Sequence, residues 1–213
     1  MVRILDGTDP GGRPAHLDAV STAVRRGGVA LVPDEGVYSL ICDAFSRPAV
    51  ARVRELKGRS GSPLTVLVGH HGTVDGIAAR IPGYARDLMA ALWPGPLTLI
   101  LRQQPSLAWA LQAPGVAVRM PLHPVLLSVV RDVGPTAATS ANAAGYPPVH
   151  DVQAALAQLD DRVGIAFDAG PVPLAERSTV IDATGAEPSI MRQGAFDADR
   201  IAEICPGLEV RPE

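Results

Sequence analysis

Lysine is almost absent from this chain of 213 residues: Lys57 is the only one among 19 basic residues. The 22 acidic residues outnumber the basic ones, so the formal net charge at pH 7 is -3. Such a chain has no overall basic field to attract nucleic acid. We therefore expect weak RNA binding at most, through a local patch.

Cysteine and long apolar runs are also scarce. Cys42 and Cys205 lie far apart and lack the spacing of a metal site, so we expect free thiols in a reducing, cytoplasmic environment. No apolar run reaches the roughly 18 residues that a membrane span needs. The start of the chain lacks the apolar stretch of a signal peptide. The sequence thus predicts no membrane association and no metal site formed by protein ligands alone.

Several catalytic signatures are missing. No Gly-x-Gly-x-x-Gly motif follows a predicted strand, and no Gly-Lys-Ser/Thr motif is present, which argues against a dinucleotide site and a P-loop. There is no Gly-x-Ser-x-Gly motif either, so the usual serine nucleophile is not indicated.

The elements that are present predict a mixed fold. Short apolar strands and amphipathic helices follow one another without strict alternation, and the 21 glycines and 20 prolines fall between them as turns. We therefore expect an α/β (α+β) fold: a twisted mixed β-sheet flanked by helices, with a concave ligand cleft. Residues 1–14 are predicted to form an N-terminal arm or a short edge strand.

Polar residues follow several of the apolar strands, where loops can converge on a cleft. Together they supply an ammonium, guanidinium groups, hydroxyls and an amide, which is a set suited to an oxygen-rich anion. Ordinary turns, caps and ion pairs are the alternative roles for each. The four groups are Asp34, Glu35 and Tyr38; Lys57 and Arg59; Thr139, Ser140 and Asn142; and Arg119, Ser178, Thr179 and Arg192.

Lys57 has the most suggestive local context. The helix with the apolar residues Val50, Val53 and Leu56 is predicted to end at Lys57 and Gly58, so Lys57 and Arg59 can converge in the Gly/Ser loop that follows. A compact ammonium beside a planar guanidinium suits a polyphosphate. The alternative is a cation in a last helical turn, which is worth ~0.3–1 kcal/mol.

The order of these groups resembles the YrdC-like family of threonylcarbamoyl-AMP synthases, over about residues 15–196. Residues 197–213 then form a C-terminal helix and tail. No single segment is specific, but six occur in the family's order. They are 28–40, Lys57-x-Arg59 with Pro63-Leu64, Trp93-Pro-Gly-Pro, 118–124, Thr139-Ser-Ala-Asn142, and Ser178-Thr-Val with Met191-Arg192-Gln-Gly194.

The resemblance implies a YrdC-like fold and a nucleotidyltransferase that takes L-threonine, bicarbonate and ATP, with Mg²⁺ expected on the ATP phosphates. It yields threonylcarbamoyl-adenylate and pyrophosphate, and a partner threonylcarbamoyl transferase complex then modifies tRNA. Lys57 and Arg59 are implied as catalytic residues. The implied ATP ligands are Lys57, Arg59, Ser140, Asn142 and Arg192; the implied substrate ligands are Asp34, Tyr38, Arg59, Arg119, Thr139, Ser140 and Ser178.

Two features depart from the family pattern. Asp34 and Gly36 stand where the family has two threonines, Ser39 replaces a glycine, and one residue fewer separates Arg59 from Pro63. Two alternatives therefore stay open: a paralogue that adenylates a different carbamate or carboxylate, as in carbamoyl-AMP chemistry, and a non-catalytic nucleotide- or RNA-binding protein.

Overall fold

A computed structural model describes residues 2–58, 64–111, 115–159, 162–206 and 209–210. These residues form one sheet of eleven strands. The strands are β1 (Arg3–Asp6), β2 (Ala30–Pro33), β3 (Tyr38–Asp43), β4 (Thr65–Leu67), β5 (Leu97–Arg102), β6 (Gly115–Arg119), β7 (Thr136–Ser140), β8 (Ile165–Asp168), β9 (Thr179–Asp182), β10 (Ser189–Arg192) and β11 (Glu209–Val210).

Helices occupy most of the segments between these strands. The side chain of Ser46 caps one of them by accepting a hydrogen bond from the Ala49 amide, as its position before Pro48 predicts. A short 3-10 helix covers His71–Thr73. The α-helices are α1 (Arg13–Arg25), α2 (Arg47–Leu56), α3 (Val74–Ile77), α4 (Gly83–Leu92), α5 (Pro124–Val133), α6 (Val152–Leu159) and α7 (Ala198–Ile204).

The sheet is mixed, as the sequence predicts. Its strand order is β1-β8-β2-β3-β7-β4-β6-β5-β9-β10-β11. It contains parallel pairs such as β4–β6 and β5–β9 and antiparallel pairs such as β3–β7 and β5–β6. The predicted edge strand is β1, which pairs in parallel with β8.

The two faces of the sheet are covered by different helices. Helices α2, α3, α4, α6 and α7 pack on one face and bury the larger apolar cluster. Helices α1 and α5 pack on the other face, over a smaller cluster that includes Ile41, Leu67 and Ala138. Because side chains alternate along a strand, each strand residue can be assigned to one of these faces.

Two further expectations can be compared with the fold. Cys42 and Cys205 are buried free thiols, and burial raises the pKa of Cys42 to about 12. The helix α3 is short and ends at Ile77, because Ala78 is extended. Within the described ranges, no helix has the length and apolar character needed to cross a membrane.

Candidate active site

Strand alternation places several of the predicted polar residues on the sheet face that α1 and α5 partly cover. Arg119 on β6 pairs directly with Leu67, a residue of the cluster beneath those helices. Ser39 and Ser140 are opposite each other on β3 and β7, each two residues from a member of that cluster. Paired residues project from the same face of a sheet. These residues therefore lie on one face, which we call the polar face.

The later strands continue this row. Thr98 lies between two leucines of the larger cluster and so projects from the polar face. It pairs with Val180 on β9, and Val180 pairs with Arg192 on β10. The polar face thus extends from β3 to β10, at about 4.8 Å per strand.

Lys57 joins the end of α2 to the turn after β7. Its Nζ lies 2.9 Å from the Ser140 carbonyl oxygen, 2.6 Å from the Asn142 carbonyl oxygen and 2.9 Å from Asn142 Oδ1. Ser140 Oγ is a fourth acceptor at 3.4 Å, and it donates to Asn142 Oδ1 over 2.6 Å. The structure therefore brings together Lys57, Ser140 and Asn142, three residues that the sequence singled out from separate segments.

The same contacts change the expected state of the lysine. An ammonium group has three hydrogens, and protein oxygens surround this one, leaving the Lys57 side chain only 9% exposed. Lys57 is thus first an organiser of the Ser140–Asn142 turn. A phosphate oxygen that reached Nζ would share or replace one of these acceptors.

Asp34, Glu35 and Arg119 form a buried charged cluster at the centre of the polar face. Arg119 donates to Asp34 through one terminal nitrogen of its guanidinium group and to Glu35 through the other terminal nitrogen. Ser39 Oγ donates to Asp34 Oδ2 over 3.0 Å, while Glu35 accepts from the amides of Leu122 and His123. The loop after β2, the end of β6 and the start of α5 are therefore held together by one guanidinium and two carboxylates.

The pKa values of the two carboxyl groups in this cluster are shifted in opposite directions. Burial alone would raise the pKa of Asp34, but Arg119 and hydrogen bonds outweigh it and lower the pKa to about 2. Burial and a hydrogen bond with Asp34 raise the pKa of Glu35 to about 7, against the attraction of Arg119. The physical cause is that two adjacent carboxylates share one cation.

Arg192 and Ser178 lie together beyond Thr98. Arg192 donates to the Ser178 carbonyl oxygen over 2.8 Å and to Ser178 Oγ over 3.1 Å. Thr98 Oγ1 donates to Ser178 Oγ over 3.0 Å, which links this group to the middle of the sheet. Thr179 is instead fully buried, and its hydroxyl donates to the Phe196 carbonyl oxygen, a structural role.

Tyr38 and Thr139 project from the opposite face. Tyr38 is buried in the larger cluster, where its hydroxyl donates to the Gly170 carbonyl oxygen and accepts from the Ala169 amide. Thr139 pairs with Leu40, another member of that cluster. The structure therefore does not bring these two predicted substrate ligands together with Ser140.

Gly36 has a backbone reason to be glycine. Its φ is +71°, and a Cβ there would lie 2.7 Å from the Ala175 amide nitrogen. A threonine at this position would be strained and would also clash. The turn over Ala175 thus requires glycine at position 36. From the sequence alone, this glycine indicates only the loss of a threonine hydroxyl.

Three other points complete the comparison with the sequence. Arg59 lies outside the described residues, so its predicted role stays a prediction. Glu35 was singled out beside Asp34 from the sequence, but its pairing with Arg119 and the hydrogen bond from Ser39 to Asp34 were not predicted. A surface pocket of about 380 Å³, lined by His71, Asp75 and Arg86 among others, contains none of the predicted site residues.

The polar face can bind and orient an anionic ligand, and it offers hydroxyl, amide and guanidinium donors for that purpose. The described residues contain no group of three side chains suited to hold a metal ion. Asp34 and Glu35 are both already paired with Arg119. A divalent cation would therefore have to arrive with, and be held mainly by, the oxygens of a ligand and by water.

Comparison with known proteins gives consistent matches over most of the chain. Residues 22–194 match the family model Sua5/YciO/YrdC, which carries the description "telomere recombination". A putative threonylcarbamoyl-AMP synthase of Mycobacterium tuberculosis is 42% identical over 96% of this chain and 95% of its own length. A threonylcarbamoyl-AMP synthase of Bacillus subtilis is 33% identical over 92% of this chain and 58% of its own.

A solved structure is similar throughout the chain. The crystal structure of Pyrococcus abyssi Sua5 complexed with L-threonine superposes with a TM-score of 0.88 at 27% identity. That match covers 100% of this chain and 63% of the Pyrococcus chain, so the Pyrococcus protein is considerably longer.

Proposed function

Because the chain belongs to the Sua5/YciO/YrdC family, we propose that it is an L-threonylcarbamoyl-AMP synthase. The observation that carries the proposal is its likeness, along almost the whole of both chains, to the mycobacterial synthase. The Pyrococcus structure with bound L-threonine supports threonine as the amino acid. The alternatives, a different carbamate acceptor or a non-catalytic protein, have no comparable support.

The reaction has two steps. The amine of L-threonine combines with bicarbonate to give a carbamate and water. A carbamate oxygen then attacks the α-phosphorus of ATP and forms a new O–P bond. The bond between the α-phosphorus and the oxygen that bridges it to the β-phosphate breaks, and pyrophosphate leaves. The protein is a nucleotidyltransferase in this scheme. No side-chain nucleophile is needed, and the rate gain comes from positioning and charge stabilisation.

The polar face supplies groups suited to these tasks. Lys57 holds Ser140 and Asn142 in a fixed turn, so that the Ser140 and Asn142 side chains orient the nucleotide. Lys57 also places a positive charge beside the transferring phosphate. Arg59, which follows Lys57 by two residues, is assigned to the threonine carboxylate or the carbamate on the family resemblance.

The remaining assignments rest on the family resemblance, together with the contacts described above. Arg192 and Ser178 are assigned to ATP and substrate at the other end of the polar face. Asp34 and Arg119 act by shaping the amino-acid end, since each is already paired with protein groups. Mg²⁺ would be held by the ATP phosphates and water and would neutralise their charge. The product would pass to a threonylcarbamoyl transferase complex acting on tRNA in the cytoplasm.

Product analysis tests the proposal. The protein is incubated with ATP, bicarbonate, Mg²⁺ and single amino acids, and pyrophosphate and the adenylate are measured, the latter by mass. We expect threonylcarbamoyl-adenylate and pyrophosphate with L-threonine, and neither product when bicarbonate is omitted. An adenylate formed only with another acceptor, or ATP binding without turnover, would contradict the proposal.

A matched variant guards against contaminating activity. Lys57→Gln should abolish most of the product, whereas Arg26→Gln, an exposed arginine just after α1, should retain wild-type activity. Equal loss in both variants would point to damage during preparation, and equal retention would remove Lys57 from the reaction.

A further inference from the structure

Asp34, Gly36 and Ser39, the three residues of the first loop that depart from the family pattern, form one connected unit. The Asp34 amide donates to the Val37 carbonyl oxygen over 2.8 Å and closes a turn in which Gly36 takes its positive φ. Strand β3 follows the turn, and there Ser39 Oγ donates to Asp34 Oδ2 over 3.0 Å. The glycine of the family pattern has no hydroxyl at that place. The aspartate and the serine therefore belong together, because the serine supplies a hydrogen bond to the aspartate.

Both oxygens of the Asp34 carboxylate are held by protein donors. Oδ1 accepts from the Glu35 amide over 2.8 Å, and Oδ2 accepts from Ser39 Oγ and from the Arg119 guanidinium. Asp34 is only 5% exposed and Ser39 only 3%. Ser39 thus acts as a positioning residue, since it holds the carboxylate oxygen that faces Arg119.

The Arg119 guanidinium is filled by carboxylates of the protein itself. Its two terminal nitrogens donate to Asp34 and to Glu35. A ligand carboxylate at this guanidinium would have to share a nitrogen with one of them, and it would bring a third acidic group to a single cation, where like charges repel. A neutral residue at position 34, as in the family pattern, would leave one terminal nitrogen open to a ligand carboxylate.

The filled guanidinium lies beside the candidate site. Ser39 is opposite Ser140 on the neighbouring strand, and neighbouring strands are about 4.8 Å apart. The Ser140 hydroxyl belongs to the turn that Lys57 organises. A ligand bound at that turn therefore has the group formed by Asp34, Ser39 and Arg119 as its next neighbour along the polar face.

We propose that Asp34, held by Ser39, is a specificity-determining residue that takes the place of a ligand carboxylate on Arg119. The amino-acid end then selects an acceptor whose carboxylate is bound by another cation, which agrees with the assignment of the threonine carboxylate to Arg59. This inference rests on the proposed function for the identity of the acceptor, L-threonine. It turns the unusual loop into a device that sets how strongly the site reads a carboxylate.

Binding measurements with two matched ligands test this role. L-Threoninamide has the amine and the hydroxyl of L-threonine but no carboxylate. The affinities for both are measured by calorimetry, at one fixed pH, on wild type, Asp34→Asn and Ser39→Ala. The control is Asp75→Asn, which breaks an Asp–Arg pair in the surface pocket outside the site.

We expect Asp34→Asn to bind L-threonine about tenfold more tightly relative to L-threoninamide than wild type does. Tenfold corresponds to about 1.4 kcal/mol, as expected for one added charge-assisted contact. Ser39→Ala should shift the ratio of the two affinities in the same direction but less, because Asp34 keeps its charge and loses only its positioning hydrogen bond. The control should keep the wild-type ratio.

A second variant guards against damage to the fold, since Asp34→Asn removes half of a buried ion pair. The double variant Asp34→Thr with Ser39→Gly, which restores two residues of the family pattern, should show the same shift. The same ratio in wild type and both Asp34 variants, or an equal loss of both ligands, would overturn the specificity role.

The outcome is independent of the test of the proposed function. Threonylcarbamoyl-adenylate made by wild type, together with an unchanged ratio in the variants, would overturn the specificity role and leave the function standing. A shifted ratio without adenylate from any of the proteins would refute the function and leave the specificity role standing.

Discussion

Replacing Glu35 by glutamine should raise the stability of the protein relative to wild type as the pH rises from 5 to 8, although Glu35 is paired with Arg119. Burial and the hydrogen bond with Asp34 raise the pKa of Glu35 from its ordinary 4.5 to about 7. The folded state then keeps a proton that the unfolded state loses at a lower pH. The contribution of Glu35 to the unfolding free energy is complete below pH 4.5 and is lost as the pH rises through 7.

The size of the effect follows from the difference between the two values. At about 1.36 kcal/mol per pKa unit, a rise from 4.5 to about 7 corresponds to roughly 3 kcal/mol of unfolding free energy. Glutamine has the shape of the protonated glutamic acid but does not ionise. Arg119 keeps Asp34 as a carboxylate partner in this variant.

Other groups near Glu35 also titrate, so the comparison must be made between variants. Asp34 has its pKa lowered to about 2, so its contribution is lost only below about pH 4. His123, whose amide donates to Glu35, has its pKa lowered by burial. The contribution of its side chain to the unfolding free energy therefore falls as the pH drops below 6.5. Arg119 remains charged throughout this range. From pH 5 to pH 8 the Asp34 carboxylate stays ionised beside Arg119, so the difference between the two proteins over this range reports on Glu35.

Urea unfolding at pH 5, 6, 7 and 8 measures the difference. The unfolding free energy of Glu35→Gln minus that of wild type should rise between pH 5 and pH 8 by roughly 2–3 kcal/mol. Glu55→Gln, which replaces an exposed residue near the end of α2 and outside the charged cluster, is the matched control. A constant difference across the range would mean that Glu35 ionises normally in the folded protein.

Three further substitutions test the structural roles assigned above. Lys57→Met should lower the unfolding free energy by about 2 kcal/mol, since oxygens of Ser140 and Asn142 lose their donor; no change in urea unfolding would refute this organising role. Gly36→Ala should cost about 1–2 kcal/mol through its positive φ and the contact with Ala175, while Gly76→Ala, which has open space, should not destabilise. Tyr38→Phe should cost about 1–3 kcal/mol and leave the KM for threonine unchanged, because the hydroxyl bonds only backbone groups among the described residues; a raised KM would restore Tyr38 as a substrate ligand.

Local features were predictable from the sequence where local physics decides them. The cap at Ser46 and the end of α2 at Leu56 follow from capping residues and apolar spacing. The mixed sheet followed from the irregular succession of strands and helices. The grouping of Lys57 with Ser140 and Asn142 was reached through the family resemblance, since 83 to 85 residues separate them in the chain.

Features that depend on distant contacts were not predictable. Asp34 pairs with Arg119 across 85 residues, and no pattern near Asp34 indicates this partner. Gly36 needs its positive φ because of Ala175, a residue in a remote loop. Tyr38 and Thr139 were singled out by motif, but strand alternation turns them toward the larger core. The types of residue in the site could be read from the sequence. The face of the sheet from which each side chain projects depends on the strand register, which the structure was needed to show.

The enclosure of Lys57 has a consequence for the chemical survival of the protein. A carbamoyl-adenylate is an acylating agent, and its natural side-chain target in any protein is a neutral lysine amine. This chain carries one lysine, and its Nζ lies within 3.4 Å of four protein oxygens. An ammonium whose hydrogens point at oxygens offers no lone pair to an activated carbonyl. The single lysine side chain is thus protected from self-acylation, and the arginine side chains are poor nucleophiles.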